Sequence, residues 1–439
     1  MSEILHETES LCPVCLRRIP ARYEREDGKA YMVKDCPEHG RFKVLFWRDA
    51  DMYEDWLKQG VHAPAKDRGR PLGERGCPFD CGICDEHRSG TCTSILEITY
   101  RCNMNCKICF ADANAERFEP DLEQIERMYA SALASNPYCS FQLSGGEPTV
   151  RDDLCDIIRL GKRLGVVHLQ VNTNGIKLAA DPEYAKRLKE AGLDLIYLQF
   201  DGLDEDIYRH IRGREMLDIK LRAVENCEAA GLGILLVPVV IPGVNLHRIG
   251  EIVEFGKRHI PVIKGIHFQP VSYFGRFPGK TPPDESRCGL SDVIHALCEQ
   301  CPEELKMEHF VPRKQFDPHC DFSSTYYLDE TGKLVAMSER DQNSCDTERT
   351  DFVEKTNRYT TKRWRYQAGA EADTPLMRFA MRTLTHSFCI SGMGFQDVWN
   401  IDLGRLHGCC VHIVRSDCTL IPFCAFHLTG ADGRRLYTN

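Results

Sequence analysis

Between residues 94 and 275 the chain alternates short apolar runs with helix-length segments, six times over. The runs are SILEIT at 94–99, FQLSGG at 141–146, VHLQVNTNG at 167–175, LIYLQFDG at 195–202, ILLVPVVIPG at 234–243 and GIHFQPVS at 265–272. Between them lie helical patterns such as DLEQIERMYASALAS, DDLCDIIRLGKRLG and PEYAKRLKEAG, the last ending at a glycine, as a helix stop does. Near-continuous apolar strands separated by helices predict a parallel sheet with helical crossovers. Six units fall short of the eight that close a (β/α)8 barrel. The predicted fold is α/β, an open partial (β/α)6 barrel of the TIM type.

In such sheets the functional site lies at the carboxyl ends of the strands. The first strand runs into Cys102. The second ends at Ser144-Gly145-Gly146-Glu147-Pro148, and the third at Asn172-Thr173-Asn174-Gly175. The fourth ends at Gln199-Phe200-Asp201-Gly202, the fifth at Pro242-Gly243-Val244-Asn245, and the sixth at Gln269-Pro270-Val271-Ser272. Any one of these is an ordinary βα turn. Six polar ends converging on one rim make a site.

The loop after the first strand reads TYRCNMNCKICFADAN, with Cys102, Cys106 and Cys109 spaced C-x3-C-x2-C. Three thiolates can hold three irons of a [4Fe–4S] cube and leave the fourth open for a small ligand, whereas a cluster used only for electron storage takes a fourth cysteine. A zinc ion with one water would use the same number of protein ligands.

The chain has 23 cysteines in 439 residues. Residues 1–20 lack the basic start and apolar run of a secretion signal. The longest apolar run, around 234–242, is too short to span a bilayer. The expected location is therefore the cytoplasm, where thiols stay reduced. Cys139, Cys155 and Cys227 stand alone in apolar patterns and read as small buried hydrophobes. The clustered cysteines read as metal ligands. A formal net charge of -9 leaves no basic footprint for nucleic acid. A peripheral membrane contact is compatible with these features.

Residues 1–50 carry Cys12-Pro-Val-Cys15, about twenty residues of β-hairpin character, then Cys36-Pro-Glu-His39-Gly. Two knuckles joined by a hairpin are the layout of a ribbon holding one tetrahedral ion. Cys12, Cys15 and Cys36 are its expected ligands. His39 is either the fourth or a turn histidine capping the knuckle. Zinc and a single iron both fit. Residues 51–93 read as a Pro/Gly-rich linker followed by a cysteine-rich segment. There Cys77, Cys81 and Cys84 repeat the C-x3-C-x2-C spacing, and Cys92 follows. Four thiolates can close a [4Fe–4S] cube, and a second zinc knuckle is the alternative.

The C-x3-C-x2-C loop after strand one, with SGGEP after strand two, resembles the radical S-adenosylmethionine (SAM) superfamily over 94–275. The resemblance implies that SAM chelates the open iron of a [4Fe–4S] cluster held by Cys102, Cys106 and Cys109. It further implies that one electron cleaves SAM to methionine and a 5′-deoxyadenosyl radical, which abstracts hydrogen from an unactivated carbon. Such a radical needs an enclosed, dry cavity. By the same resemblance Ser144, Gly145, Gly146 and Glu147 receive the SAM ammonium group. Asn172 and Asn174 reach the ribose or carboxylate, and Gln199 and Asp201 lie near ribose or substrate. Val240 lines the adenine and Gln269 closes the rim. Many members carry an aromatic residue before the third cysteine. Here Ile108 stands there, with Phe110 after, so backbone and aliphatic contact is expected in place of ring stacking.

Residues 276–439 carry two hairpin patterns beside cysteines, DPHCDFSSTYYLDETGKLVAM and LHGCCVHIV with CTLIPFCAFHLT. They resemble the auxiliary-cluster extensions of this superfamily, which implies one or two further [4Fe–4S] clusters. The candidate ligands are Cys320, Cys389, Cys409, Cys410 and Cys424. The vicinal pair 409–410 cannot readily place both sulfurs on one cube.

The order of ribbon, Cys77 segment, barrel and IPFCA is similar to the tetraether lipid synthase group and its bacterial (seleno)protein relatives. That likeness implies C–C bond formation on a lipid or other hydrophobic substrate, with an electron donor such as ferredoxin or flavodoxin. The alternative is methylation or maturation of a small, pterin-like molecule or a peptide. A long apolar cavity would mark the first and a compact polar one the second. A zinc-only adaptor without activity would leave Gly145-Gly146-Glu147 and the polar strand ends without a purpose.

Overall fold

The computed structural model describes residues 3–59, 71, 73–114, 118–277, 282–313, 315–337, 364–366 and 374–438. Most of the expected linker falls outside these.

The ribbon is a four-stranded antiparallel meander where the sequence suggested a single hairpin. Its strands are β1 (Glu3–Leu11), β2 (Arg18–Glu26), β3 (Lys29–Cys36) and β4 (Gly40–Trp47). Asp27 and Gly28, both at positive φ (49° and 72°), make the tight β2–β3 turn that right-twisted strands require. The metal knuckles are the β1–β2 and β3–β4 turns. A helix, α1 (Ala50–Leu57), follows, its amino end capped by Asp49.

The six predicted strands form at β5 (Thr93–Thr99), β6 (Ser140–Gly145), β7 (Leu169–Thr173), β8 (Leu195–Gln199), β9 (Ile234–Val237) and β11 (Ile263–Pro270). The two-residue β10 (Val239–Val240) pairs with β11. Helices Leu122–Ser135, Leu154–Arg163 and Tyr184–Glu190 lie between them where the sequence placed helical patterns. Gly192, at φ +106°, ends the last of these in the left-handed conformation.

The C-terminal region does not stand apart as an extension. Its strand β14 (Ser387–Met393) adds in parallel beside β11, and β15 (Val411–Val414) adds in parallel beside β5. Antiparallel β12 (Asp321–Leu328) and β13 (Leu334–Ala336) continue past β14, and β16 (Leu420–Pro422) past β15. The order across the sheet is β13-β12-β14-β11-β9-β8-β7-β6-β5-β15-β16. Eight consecutive parallel strands thus curve around one lumen. The two added strands escape a helix-crossover pattern because SFCISGM is rich in small and polar residues and VHIV is only four residues long.

The strands alternate. Phe141, Leu143, Leu169, Val171, Ile196 and Leu198 belong to the main apolar core. Their neighbours Ser140, Gln142, Ser144, His168, Gln170, Asn172, Tyr197 and Gln199 line the lumen. Successive side chains of a strand face opposite sides, so one face is apolar and the other largely polar.

The ribbon docks on the C-terminal region. Tyr23 Oη and Thr8 Oγ1 donate to the two oxygens of Asp402 at 3.1 and 2.7 Å, and buried Lys34 donates to the Val398 carbonyl at 2.9 Å. No helix among the described residues is long and apolar enough to cross a membrane.

Candidate active site

The lumen holds two connected chambers. The upper one, at the carboxyl ends of the strands, is bordered by Cys102, Cys106 and Cys109 on one side. Opposite lie Ser144, Gly145, Gly146, Glu147, Asn172, Asn174, Gln199 and Gln269. Ile108 and Phe110 also reach it.

The three-cysteine loop is pinned from several directions. Asn114 Oδ1 accepts from the Cys102 N–H at 2.8 Å, and Asn114 Nδ2 donates to the Met104 carbonyl at 3.2 Å. Cys109 and Arg276 pair through their backbones, and Arg276 Nε donates to the Cys106 carbonyl at 2.9 Å. The second glycine-rich turn presses against the same loop. A Cβ on Gly145 would lie 2.2 Å from the Thr99 carbonyl oxygen, and one on Gly146 would lie 2.3 Å from that of Arg101. Only glycine permits that approach.

Burial pushes the Cys102 thiol up to about 12, and the charges of Glu147, Cys106 and Cys109 push the same way. Burial also raises Cys109, with Cys106 adding to it. The Arg276 and Arg212 charges lower Cys109 against this, and three thiols whose ionised forms repel one another suit a positively charged centre that would hold them as thiolates. The sulfurs are also spread wider than ligands of a single ion. Among the described residues, the one group whose ligand atoms all lie within 4.8 Å of each other is in the ribbon. The donor set therefore fits a multi-iron cluster better than a mononuclear ion.

Glu147 is 2% exposed, and both its oxygens are engaged. Oε1 accepts from Thr149 N, Thr149 Oγ1 and Thr173 Oγ1 at 3.1, 2.6 and 2.7 Å, and Oε2 accepts from Asn174 N at 2.7 Å. The carboxylate thus ties the ends of β6 and β7 together. Asn174 Nδ2 donates to Asn103 Oδ1 at 2.7 Å, joining that corner to the cysteine loop.

Two expected contacts fall elsewhere. Asp201 is fully buried behind the wall, where it grips Arg212 with two bonds of 2.7 and 2.8 Å. Arg212, not Asp201, borders the chamber. Val240 points away from it while Val237 and Val239 line it, because neighbouring strand residues face opposite sides. Arg212, Arg276 and Asn114 were not singled out by the sequence. Arg212 and Arg276 lie far from the cysteine and glycine motifs and only the fold brings them there, whereas Asn114 ends the cysteine loop itself, where spacing gives its role no signal.

The lower chamber runs toward the amino ends of the strands. Its polar wall includes Gln142, Gln170, Gln269, Gln315, His168, His267 and Arg313, and its rings are Tyr197, Phe316, Trp364 and Phe395. Burial pushes His267 down to about 3, with the nearby Arg313 charge acting in the same direction, and its Nδ1 lies 2.9 Å from Ser391 Oγ. Burial lowers His168 as well. Arg313 pairs with fully buried Asp321 through its side chain and its N–H. Its guanidinium lies 4.6 Å from the Phe316 ring centroid. Among the described residues, no carboxylate lines this chamber.

In the ribbon, Cys12, Cys15, Cys36 and His39 form a compact ring. Cys12 Sγ and Cys36 Sγ lie 3.6 and 3.5 Å from His39 Nδ1, and Cys15 Sγ lies 3.9 Å from Cys36 Sγ. A tetrahedral zinc with bonds of about 2.0–2.3 Å separates its ligand atoms by about 3.5–3.8 Å. His39 therefore occupies a ligand position.

The remaining cysteines sort themselves differently from the sequence reading. Cys77 and Cys81 adjoin each other, and the Cys84 charge bears on Cys77. Cys81 N–H donates to Tyr437 Oη at 3.0 Å. Cys92 does not join this trio. It forms a disulfide with Cys410, because β15 lies against β5 and brings the two sulfurs together. Neither sulfur is then free as a ligand, and the expectation that every thiol stays reduced fails at this pair. Cys320, Cys409 and Cys424 lie within electrostatic reach of one another, each pushed up to about 12 by burial first. Arg405 Nη2 donates to Cys320 Sγ at 3.1 Å. Cys389 is separate. Its register on β14 puts it opposite Thr325 and beside Gly265, with its sulfur 3.8 Å from Ser323 Oγ.

Comparison with known proteins gives consistent findings. Residues 96–256 match the radical SAM superfamily, and residues 4–48 match the HMPTM N-terminal zinc ribbon domain. The chain is 35% identical over 473 residues to 7,8-dihydro-6-hydroxymethylpterin dimethyltransferase of Methanocaldococcus jannaschii, covering 96% of this chain and 93% of that protein. It is 32% identical over 252 residues to a probable GTP 3′,8-cyclase of Methanothermobacter thermautotrophicus, covering 56% and 76%. Among solved structures, anSMEcpe with bound AdoMet and Kp18Cys peptide is 16% identical and covers 66% of this chain and 96% of that one, with a TM-score of 0.40.

Proposed function

The chain belongs to the radical SAM superfamily, and on that premise we propose that it methylates a carbon of a small, flat, pterin-like heterocycle. The observation that carries this reading is the lower chamber, a compact space of amides, neutral imidazoles and one guanidinium set between aromatic rings. Such a wall matches a ring whose edge is dense in donors and acceptors. An alkyl chain would offer no partner to the polar atoms that still face the chamber, at about 1–3 kcal/mol each. The relative matched along nearly its whole length carries a name that specifies a pterin methyl transfer, which supports the same choice.

In this reading Cys102, Cys106 and Cys109 hold the [4Fe–4S] cluster. The Gly145-Gly146-Glu147 turn, Asn172, Asn174, Gln199 and Arg212 surround SAM. Bound together and reduced, cluster and SAM supply a 5′-deoxyadenosyl radical. The chain's own task is to orient both ligands and keep water away from them. Buried Arg212, charged and held by Asp201, suits the carboxylate end of SAM. The ribbon holds one zinc or iron through Cys12, Cys15, Cys36 and His39. Cys77, Cys81 and Cys84 form a candidate auxiliary site, and Cys320, Cys409 and Cys424 another. A low-potential one-electron donor of the ferredoxin or flavodoxin class would reduce the first cluster, and the expected location remains the cytoplasm.

The test is anaerobic incubation of iron- and sulfide-reconstituted protein with dithionite, methyl-labelled SAM and 6-hydroxymethyl-7,8-dihydropterin. The SAM that yields 5′-deoxyadenosine leaves as methionine with its methyl group intact, so in this reading the methyl group comes from a second SAM, which leaves as S-adenosylhomocysteine as the donor supplies a second electron. Labelled methylated pterin with 5′-deoxyadenosine is expected, and neither with Cys106→Ala. Cleavage of SAM without a pterin product, across a range of pterins, would overturn the substrate assignment.

A further inference from the structure

The two chambers meet at a waist whose wall borders both: Ile95, Gln142, Tyr197, Gln269 and Phe395. Gln142 stands out there because its amide is fixed. Its Nε2 donates to Asn172 Oδ1, and Asn172 Nδ2 donates in turn to Ser144 Oγ at 3.2 Å. Asn172 and Ser144 belong to the upper chamber. Gln142 is therefore the last link of a relay that begins beside the proposed SAM site and ends in the lower chamber.

With Nε2 committed to Asn172, the free face of the amide is its carbonyl oxygen. Gln142 is 8% exposed, and Oε1 accepts no hydrogen bond from the described residues. The oxygen is not sealed in the protein but opens onto the cavity, where a ligand or water supplies its donor. It belongs to a side chain that borders both chambers, where a lower-chamber ligand can meet the upper one.

We infer that Gln142 Oε1 accepts a hydrogen bond from a ring N–H or hydroxyl of the substrate, and so decides which substrate carbon faces the SAM end. This rests on the reading of the lower chamber as the heterocycle site. Gln142 gives and takes no proton. Its contribution is registration, which matters because hydrogen transfer needs the reacting atoms about 3–3.5 Å apart, and a displacement of about 1 Å can cost about a hundredfold in rate.

The test compares wild type, Gln142→Leu and Gln142→Glu as reconstituted full-length enzyme with 6-hydroxymethyl-7,8-dihydropterin. Three quantities are read: the change in the cluster's EPR signal on adding SAM, KM for the pterin, and 5′-deoxyadenosine formed per methylated product. Gln142→Leu should keep the EPR response, raise KM about tenfold or more, and raise the 5′-deoxyadenosine-to-product ratio severalfold. Gln142→Glu retains an acceptor and should fall between. If Gln142→Leu fails to load its cluster, Gln142→Asn, which keeps the amide but shortens its reach, carries the same comparison. Variants with wild-type KM and wild-type ratio, beside an active wild type, would overturn the assignment of Gln142 alone. A wild type that makes no methylated pterin would overturn the heterocycle reading, and this inference with it.

Discussion

Cys109 and Arg276 exchange backbone hydrogen bonds in both directions, at 2.8 and 2.9 Å. The Arg276 side chain extends the clamp to the carbonyls of Cys106 and Ala113 and to Asp112, at 2.9, 3.2 and 3.2 Å. The loop proposed to present three sulfurs to one cluster is thereby held by the segment that follows the sixth barrel strand.

Arg276→Ala should lower occupancy of the proposed cluster severalfold while leaving the fold intact. Three lost hydrogen bonds at about 1 kcal/mol each are enough to loosen a loop and too few to unfold the barrel. Gly275→Ala should be worse. Gly275 sits at φ +64°, and an added Cβ would lie 2.4 Å from the Phe110 carbonyl oxygen. Iron and sulfide per chain, with circular dichroism as the fold control, check both.

Glu147→Ala should weaken SAM binding by roughly one to two orders of magnitude with the cluster retained. The substitution orphans buried donors on Thr149, Thr173 and Asn174, at about 1–3 kcal/mol each, and releases the β6–β7 corner. Equilibrium binding of SAM to the reconstituted protein reads the effect. Unchanged affinity would remove Glu147 from the SAM site.

The barrel should lose stability as pH falls from about 6.5 toward 3, in part through His267. Its folded-state pKa is depressed from 6.5 to about 3, so its contribution is complete above 6.5 and is lost as pH falls through that window. Between pH 7 and 5 the unfolded state gains the proton and the folded state does not, a difference of about 2 kcal/mol. His267→Asn should shrink the measured pH 7-to-5 loss in urea unfolding by about that amount. An identical loss in the variant would show that His267 is not buried neutral.

Cys36→Ser should release the ribbon ion and leave the barrel iron in place. The ribbon holds the 396–407 loop through Tyr23, Thr8 and Lys34 among others, so its loosening should expose that loop to limited proteolysis. Metal analysis and a protease time course test both halves.

Much of the upper chamber was legible in the sequence, because its chemistry is compressed into short motifs. CNMNCKIC and SGGEP each place several functional groups within a few residues, on turns that only glycine and close thiols can make. Strand positions followed from apolar runs bounded by glycine and proline. The lumen wall was harder. VHLQVNTNG reads as apolar when averaged, yet His168, Gln170, Asn172 and Asn174 are every second residue and face inward. That period of two carried the polar wall of both chambers, and the continuous-run reading passed over it. Arg212, Arg276 and Asn114 could not be found by spacing, since their roles come from pairings across loops. The Cys92–Cys410 pair was invisible for a simpler reason. Nothing local indicates that a strand near the end of the chain lies beside the first barrel strand.

That last arrangement bears on how the molecule is made. The disulfide partners Cys92 and Cys410 are 318 residues apart, and β14 and β15 flank both ends of the six-stranded run. Until about the final eighth of the chain leaves the ribosome, β5 and β11 present open edges to whatever else is in solution. Contacts of such long range form slowly. The newborn barrel would therefore rely on a chaperone or on speed to avoid pairing with its neighbours, and a chain truncated after the sixth strand should be recovered as aggregate, however intact its cysteine loop.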